Sequence, residues 1–160
     1  MHPILKKHSV IAWDMDQTLV NGPNSEYFQD YIRRHPEKSH HIVTFRNKNW
    51  ADTIFGELEN IGFDAYKHIS AVHSCPEDIH DSYMAKNSGG MVMHRFMLSR
   101  SMSLEQFNKN VSAFPIWKGF QCKKIGATII IDDMPTFVVP GCAKYDIEFI
   151  NALDPLHVKF

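Results

Sequence analysis

Two apolar runs in this chain each end in acids. Val10-Ile11-Ala12-Trp13 leads into Asp14-Met15-Asp16-Gln17-Thr18-Leu19, and Ile129-Ile130-Ile131 leads into Asp132-Asp133. Four carboxylates gathered at one place repel one another unless a divalent cation, a lysine or added protons offset the charge. At about 4 Å and a surface-like dielectric, each opposed charge pair is worth roughly 4 kcal/mol before desolvation. Asp-x-Asp-x-Thr with a distant Asp-Asp therefore reads as a magnesium-dependent phosphoryl-transfer site. Magnesium suits an all-oxygen donor set that keeps several waters and binds phosphate directly.

Strands must carry these acids. Short β-forming runs of this kind are usually buried on both faces, and open α/β sheets bind ligands beyond the ends of such strands. The pattern predicts a helix capped by Ser25, with Tyr27, Phe28, Tyr31 and Ile32 at helical spacing and a stop near His35-Pro36. A strand follows at His41-Ile42-Val43-Thr44-Phe45. A helix is predicted over Trp50–Ile61, with Trp50, Ile54, Leu58 and Ile61 on one stripe and Gly62 as its stop. A third strand is predicted over Ala65–Ile69.

The stretch from Cys75 to Pro115 interrupts the alternation. It predicts helices around Gly90–Arg100 and Leu104–Val111, the second capped by Ser103 with Gln106 three positions on. A separate short helix is expected over Trp117–Ile125, closed by Gly126. Phe137-Val138-Val139 and Ile147–Ile150 read as weaker strands. Strands alternating with helices predict an α/β fold, a central parallel sheet covered on both faces.

Bulk properties narrow the classes. With 160 residues, 44% apolar and 22% charged, the chain suits one cored domain rather than disorder or coiled coil. A formal charge of −1 exerts no general pull on nucleic acid or anionic membrane. No apolar run approaches the roughly 20 residues that span a bilayer. Asp14 interrupts the apolar run behind Lys6 and Lys7, so that run fails as a secretory signal. Cys75, Cys122 and Cys142 are odd in number and widely spaced, which argues against a disulfide framework and for a cytoplasmic setting. His73, Cys75 and His80 lack a second ligand pair at zinc-finger spacing, and a solvated loop is the expectation there.

Taken together, the motifs resemble those of the haloacid dehalogenase (HAD) superfamily of phosphatases and phosphotransferases. The matching segments are Asp14-Met15-Asp16-Gln17-Thr18, the strand ending at Thr44, Lys118 near the start of a helix, and Asp132-Asp133, in that family's order over about Val10 to Pro135. The resemblance implies a three-layer Rossmann-like core with a phosphatase site. Asp14 would be the nucleophile that forms an aspartyl-phosphate, and Asp16 the acid and base. Thr44 would donate to a phosphoryl oxygen, and Lys118 would neutralise charge between Asp14 and phosphate. Asp14, Asp132, Asp133 and the backbone carbonyl of Asp16 would hold Mg2+. Asp at the second acidic position favours phosphate over halide chemistry. Lys86, Lys123 and Lys124 are the alternatives to Lys118, which is preferred because the first turn of a short helix would face the strand ends.

About thirty residues separate Asp14 from Thr44, too few for a large cap after the first motif. Residues 75–115 are read as a small helical insertion, a minimal cap or lid on a single domain spanning 1–160. An open site of this kind admits a phosphorylated small molecule, a nucleotide or a nucleic-acid end. Arg46, Asn47 and Lys48 lie where a substrate could pass and could read a second phosphate or a nucleotide backbone. Thr-x-Arg before the predicted helix somewhat resembles the polynucleotide phosphatase branch, and the paired acids with Met134-Pro135 are similar to the deoxyribonucleotidase-like branch. The alternatives are a phosphotransferase or sugar-phosphate phosphatase on the same fold, or a non-catalytic phosphate-binding regulatory protein. No membrane partner is expected, and the oligomeric state stays open.

Overall fold

Strands with apolar residues on both faces can only sit between two layers, and the central strands here do so. The computed structural model describes residues 3–155. After α1 (Pro3–Lys6) come β1 (Val10–Trp13), α2 (Ser25–Arg34) and β2 (Ser39–Thr44). Three short helices follow, α3 (Lys48–Ala51), α4 (Ile54–Asn60) and α5 (Ala65–His68), leading to β3 (Ala71–Ser74). Then come α6 (Glu77–Asn87), α7 (Gly90–Ser99), α8 (Leu104–Ile125), β4 (Ile129–Asp132), α9 (Pro135–Tyr145) and β5 (Glu148–Asn151). The sheet is parallel throughout, in the order β3-β2-β1-β4-β5.

Side-chain alternation sorts the core into two layers. Ile11, Trp13, Ile42, Ile129 and Ile131 pack with Phe28, Ile32, Ile54 and Leu58 from α2 and α4. Ala12, Val43 and Ile130 face Phe114, Trp117 and Cys122 of α8 and Val138 and Cys142 of α9. The chain leaves β1 one way beneath the first layer and returns across the second to β4. The strand order therefore reverses between β1 and β4, the switch point where open α/β sheets bind ligands. This is the three-layer α/β fold expected from the alternation.

Several local expectations are corrected. Ala65–His68 is a helical turn rather than a strand, because Asp64 caps it by accepting from Lys67 N at 3.2 Å, and the third strand begins at Ala71. Trp50–Ile61 is not one helix: it breaks between Ala51 and Ile54, and Trp50 and Ile61 are exposed while Ile54 and Leu58 are buried. Phe137-Val138-Val139 lies in α9, which starts with Pro135 and buries Val138 and Cys142 one turn apart. The helices expected at Leu104–Val111 and Trp117–Ile125 are a single helix running through Pro115. Proline removes one backbone hydrogen bond there, but Phe107, Asn110, Phe114, Trp117, Lys118 and Cys122 form one buried stripe across it. The end of the 75–115 segment accordingly falls inside α8. Its α6 packs on α8 through Tyr83 and Phe114, with ring centroids 4.1 Å apart, whereas α7 buries no residue. No helix among the described residues is long and apolar enough to cross a membrane.

α8 and α9 cross on two glycines. A Cβ on Gly119 would stand 2.2 Å from the carbonyl carbon of Gly141, and one on Gly141 would stand 2.5 Å from Ile116 O. Only glycine at both positions lets the helices approach this closely.

Candidate active site

Register brings the acids together. Ala12 pairs with Ile130 and Trp13 with Ile131, so Asp14 and Asp132 follow side by side, and Asp14 N donates to Ile131 O at 2.9 Å. By alternation both belong to the face that α8 covers. Asp14, Asp132 and Asp133 each offer a carboxylate oxygen, and these oxygens lie within 4.8 Å of one another.

Lys118 reaches them from the interior of α8, not from a first turn. Its ammonium donates to Asp14 Oδ1 at 2.7 Å and to Asp132 Oδ2 at 2.5 Å. It is 1% exposed, and the Phe45 ring lies 4.4 Å from its Nζ. Phe45 stacks in turn on Phe114 at 4.3 Å, which makes an apolar wall on that side. Lys123 and Lys124 end the same helix about a turn and a half further on, and Lys86 belongs to α6.

Burial sets the electrostatics. It pushes Asp14 up to about 6, against the opposing pull of Lys118 and with help from Asp133. Asp132 is pushed up to about 6 by burial and by the charge of Asp14. Asp133 is raised by burial too, with the charge of Asp132 adding to it. Burial pulls the Lys118 ammonium down, but Asp132 and Asp14 together hold it above its ordinary value. Three carboxylates against one ammonium leave two negative charges in excess. A hard divalent cation fits that excess and that all-oxygen donor set.

The loop after β1 is held in place by its neighbours. Gln17 adopts φ +58°, a left-handed conformation uncommon outside glycine. Ser25 Oγ donates to Thr18 O at 2.8 Å, and Gln29 Nε2 donates to Leu19 O at 2.7 Å. Gly22 lies so close to the Gln17 carbonyl that a Cβ there would be 2.1 Å from its oxygen. Thr18 is buried within this loop.

Asp16 turns away from the other three acids. Arg46 grips it with both arms of a fork, Nε to Oδ2 at 3.0 Å and Nη2 to Oδ1 at 2.7 Å. Among the described residues, the side-chain cation cluster therefore contains Asp14, Asp132 and Asp133 without Asp16. Thr44 ends β2 at the same sheet edge, where its Oγ1 accepts from Arg46 N at 3.1 Å. Glu57 holds the other side of Arg46, donating nothing and accepting from Nη1 and Nη2. The indole of Trp50 covers the guanidinium at 4.4 Å. Reading the sequence missed Glu57, because a glutamate eleven residues beyond an arginine carries no spacing signal. It also missed Phe45 as a partner of Lys118.

The histidine and cysteine group near β3 is dispersed, and it is not the solvated loop expected. His73 bonds His41 Nδ1 at 3.0 Å and Gln121 at 3.1 Å, Cys75 is buried with its thiol pushed up to about 12, and His80 pairs with Asp81 on α6. A groove of 780 Å³ along α8, lined by Ile116, Phe120, Gln121 and Tyr145, is not lined by Asp14, Asp16, Asp132 or Asp133.

No family model and no curated protein matches the chain. Among solved structures, it is similar to the NMR structure of the core domain of "a putative phosphoglycolate phosphatase from Streptococcus pneumoniae TIGR4". The identity is 15% and the TM-score 0.45, with 94% of this chain and 84% of that one covered. At that distance the likeness adds nothing to the argument from strand order and site geometry.

Proposed function

We propose that this chain is a magnesium-dependent phosphomonoesterase of the haloacid dehalogenase kind. One observation supports it above the others: Asp14, Asp132, Asp133 and a buried Lys118 converge at the β1/β4 switch point. Asp14, Asp132 and Asp133 would hold Mg2+, with the backbone carbonyl of Asp16 as a further oxygen. The ion supplies charge neutralisation for the phosphoryl oxygens when bound.

In this reading an Asp14 oxygen attacks phosphorus while the bond to the leaving oxygen breaks. Asp16 gives that oxygen a proton. Water then attacks the aspartyl-phosphate, Asp16 takes the water's proton, and the Asp14–phosphorus bond breaks to release phosphate. Lys118 offsets the charge of Asp14 and the phosphoryl group, and the Thr44 hydroxyl donates to a phosphoryl oxygen. Arg46 holds both Asp16 oxygens, so the proton transfers assigned to Asp16 need that fork to loosen. Residues 75–115, with α7 at the periphery, serve as a partial lid over an open site. The substrate is a phosphorylated small molecule, a nucleotide or a nucleic-acid end.

The test is turnover of a chromogenic aryl phosphate with and without magnesium. Hydrolysis that disappears with chelator and falls at least a thousandfold in Asp14→Asn supports the reading. Clean phosphate binding without turnover on a broad monoester panel would replace it with a regulatory role.

A further inference from the structure

Arg46, one of three residues expected to read a second phosphate or a nucleotide backbone, is already committed. Four of its N–H groups reach Asp16 and Glu57, it is 3% exposed, and Trp50 covers one face of its guanidinium. The two acids that hold it are each about half exposed. Asp16, Arg46 and Glu57 together carry a net charge of −1 while Asp16 is ionised and 0 once Asp16 holds the proton it gives. The surface next to the acid that protonates the leaving oxygen therefore offers no net positive charge in either state.

Trp50 completes that surface. It is 52% exposed on the one-turn helix α3, and only one face of its ring meets Arg46. A tryptophan left half open is an apolar plane with no core role. Its anchor is strong, because the guanidinium beneath it is fixed by two carboxylates and the Thr53 hydroxyl donates to Trp50 O at 2.7 Å. A plane anchored on a rigid cation and open on its other side is a stacking platform.

We infer that the Asp16–Arg46–Glu57 triad and Trp50 form the leaving-group subsite, and that they select monoesters whose leaving group is planar, aromatic and uncharged. A nucleoside carrying a single phosphate is the natural case. This rests on the phosphomonoesterase reading and narrows it. Leaving groups with a carboxylate or a second phosphate find no net positive charge in the triad and face the Glu57 carboxylate, so they are disfavoured. Lys48, exposed on α3 two residues before Trp50, is a cation that could counter this, so substrates with two phosphates belong in the test.

The experiment compares kcat/KM for a nucleoside monophosphate, phenyl phosphate, glycerol phosphate, phosphoglycolate and a nucleoside bisphosphate, using the full chain with magnesium. The aromatic monoesters are expected to lead glycerol phosphate by roughly tenfold or more, with phosphoglycolate and the bisphosphate behind. Trp50→Ala is expected to lower the aromatic-to-glycerol ratio by about tenfold, mainly through KM, and Trp50→Phe to restore most of it. Glu57→Gln is expected to raise the relative rate with phosphoglycolate. A ratio unchanged in Trp50→Ala, or a bisphosphate preferred over the monophosphate, overturns the inference while leaving the phosphatase reading intact. Absence of Asp14-dependent turnover on every ester overturns both.

Discussion

Lys118 Nζ stands 2.7 Å from Asp14 Oδ1, although 104 residues separate them in the chain. Asp132 completes the bridge, so one ammonium holds together the two central strands and the helix across them. Removing it would leave two buried acids facing each other. Lys118→Met is expected to cost about 3–5 kcal/mol of stability at neutral pH. Both acids already sit near 6 with the lysine present, above their ordinary value. Groups with raised folded-state values lose their stabilising contribution as pH rises through those values. The variant's deficit should therefore shrink at pH 5 and widen at pH 8, read by urea unfolding. An equal deficit at both would mean the acids do not set it.

Magnesium should stabilise the fold independently of turnover. An ion that binds only the folded state at a hundred times its dissociation constant adds about 2.7 kcal/mol. Thermal unfolding should move upward with added magnesium in the native chain and much less in Asp132→Asn. A shift of the same size in both proteins would place the ion elsewhere.

The glycine crossing makes a separate prediction. Gly119→Ala and Gly141→Ala each drive a methyl into the backbone of the opposite helix. Overpacking of this kind costs about 1–3 kcal/mol or more. Because Lys118 precedes Gly119, turnover should fall along with the melting temperature. A variant with native stability and native activity would show that α8 and α9 can part freely.

His40 should make the protein acid-sensitive. Its Nδ1 accepts from Trp13 Nε1 at 3.1 Å and its Nε2 donates to His35 O at 3.0 Å, so both nitrogens serve the neutral ring. Burial pushes its value down to about 4 from the ordinary 6.5. The unfolded chain then takes up a proton that the folded chain refuses. Stability is complete above pH 6.5 and is lost as pH falls toward 4, by up to about 3 kcal/mol. Denaturant midpoints measured between pH 7.5 and 4.5 should fall more steeply in the native chain than in His40→Gln.

The sheet and the acidic cluster were legible because one code wrote both. Apolar runs ending in acids predict buried strands and also deliver carboxylates to a common edge. The helices were harder. A proline usually breaks a helix, and only the uninterrupted buried stripe from Phe107 to Cys122 carries α8 through Pro115. Val138 and Val139 carry strand propensity, which Pro135 at the helix start and burial at one-turn spacing outweighed. The partners of Arg46 were illegible for a different reason. Glu57 meets it through the α3–α4 break and Asp16 through the pairing of β1 with β2, and no local spacing records either meeting.

The strand order also has a consequence for synthesis. Asp14 leaves the ribosome early, with β1 and β2, whereas the lysine and the second acidic strand emerge only in the last third of the chain. Until then β1 exposes an unpaired edge on the side reserved for β4, which is a template for pairing with the wrong chain. Slow translation or nascent-chain crowding should therefore threaten this protein most in the interval between α2 and α8.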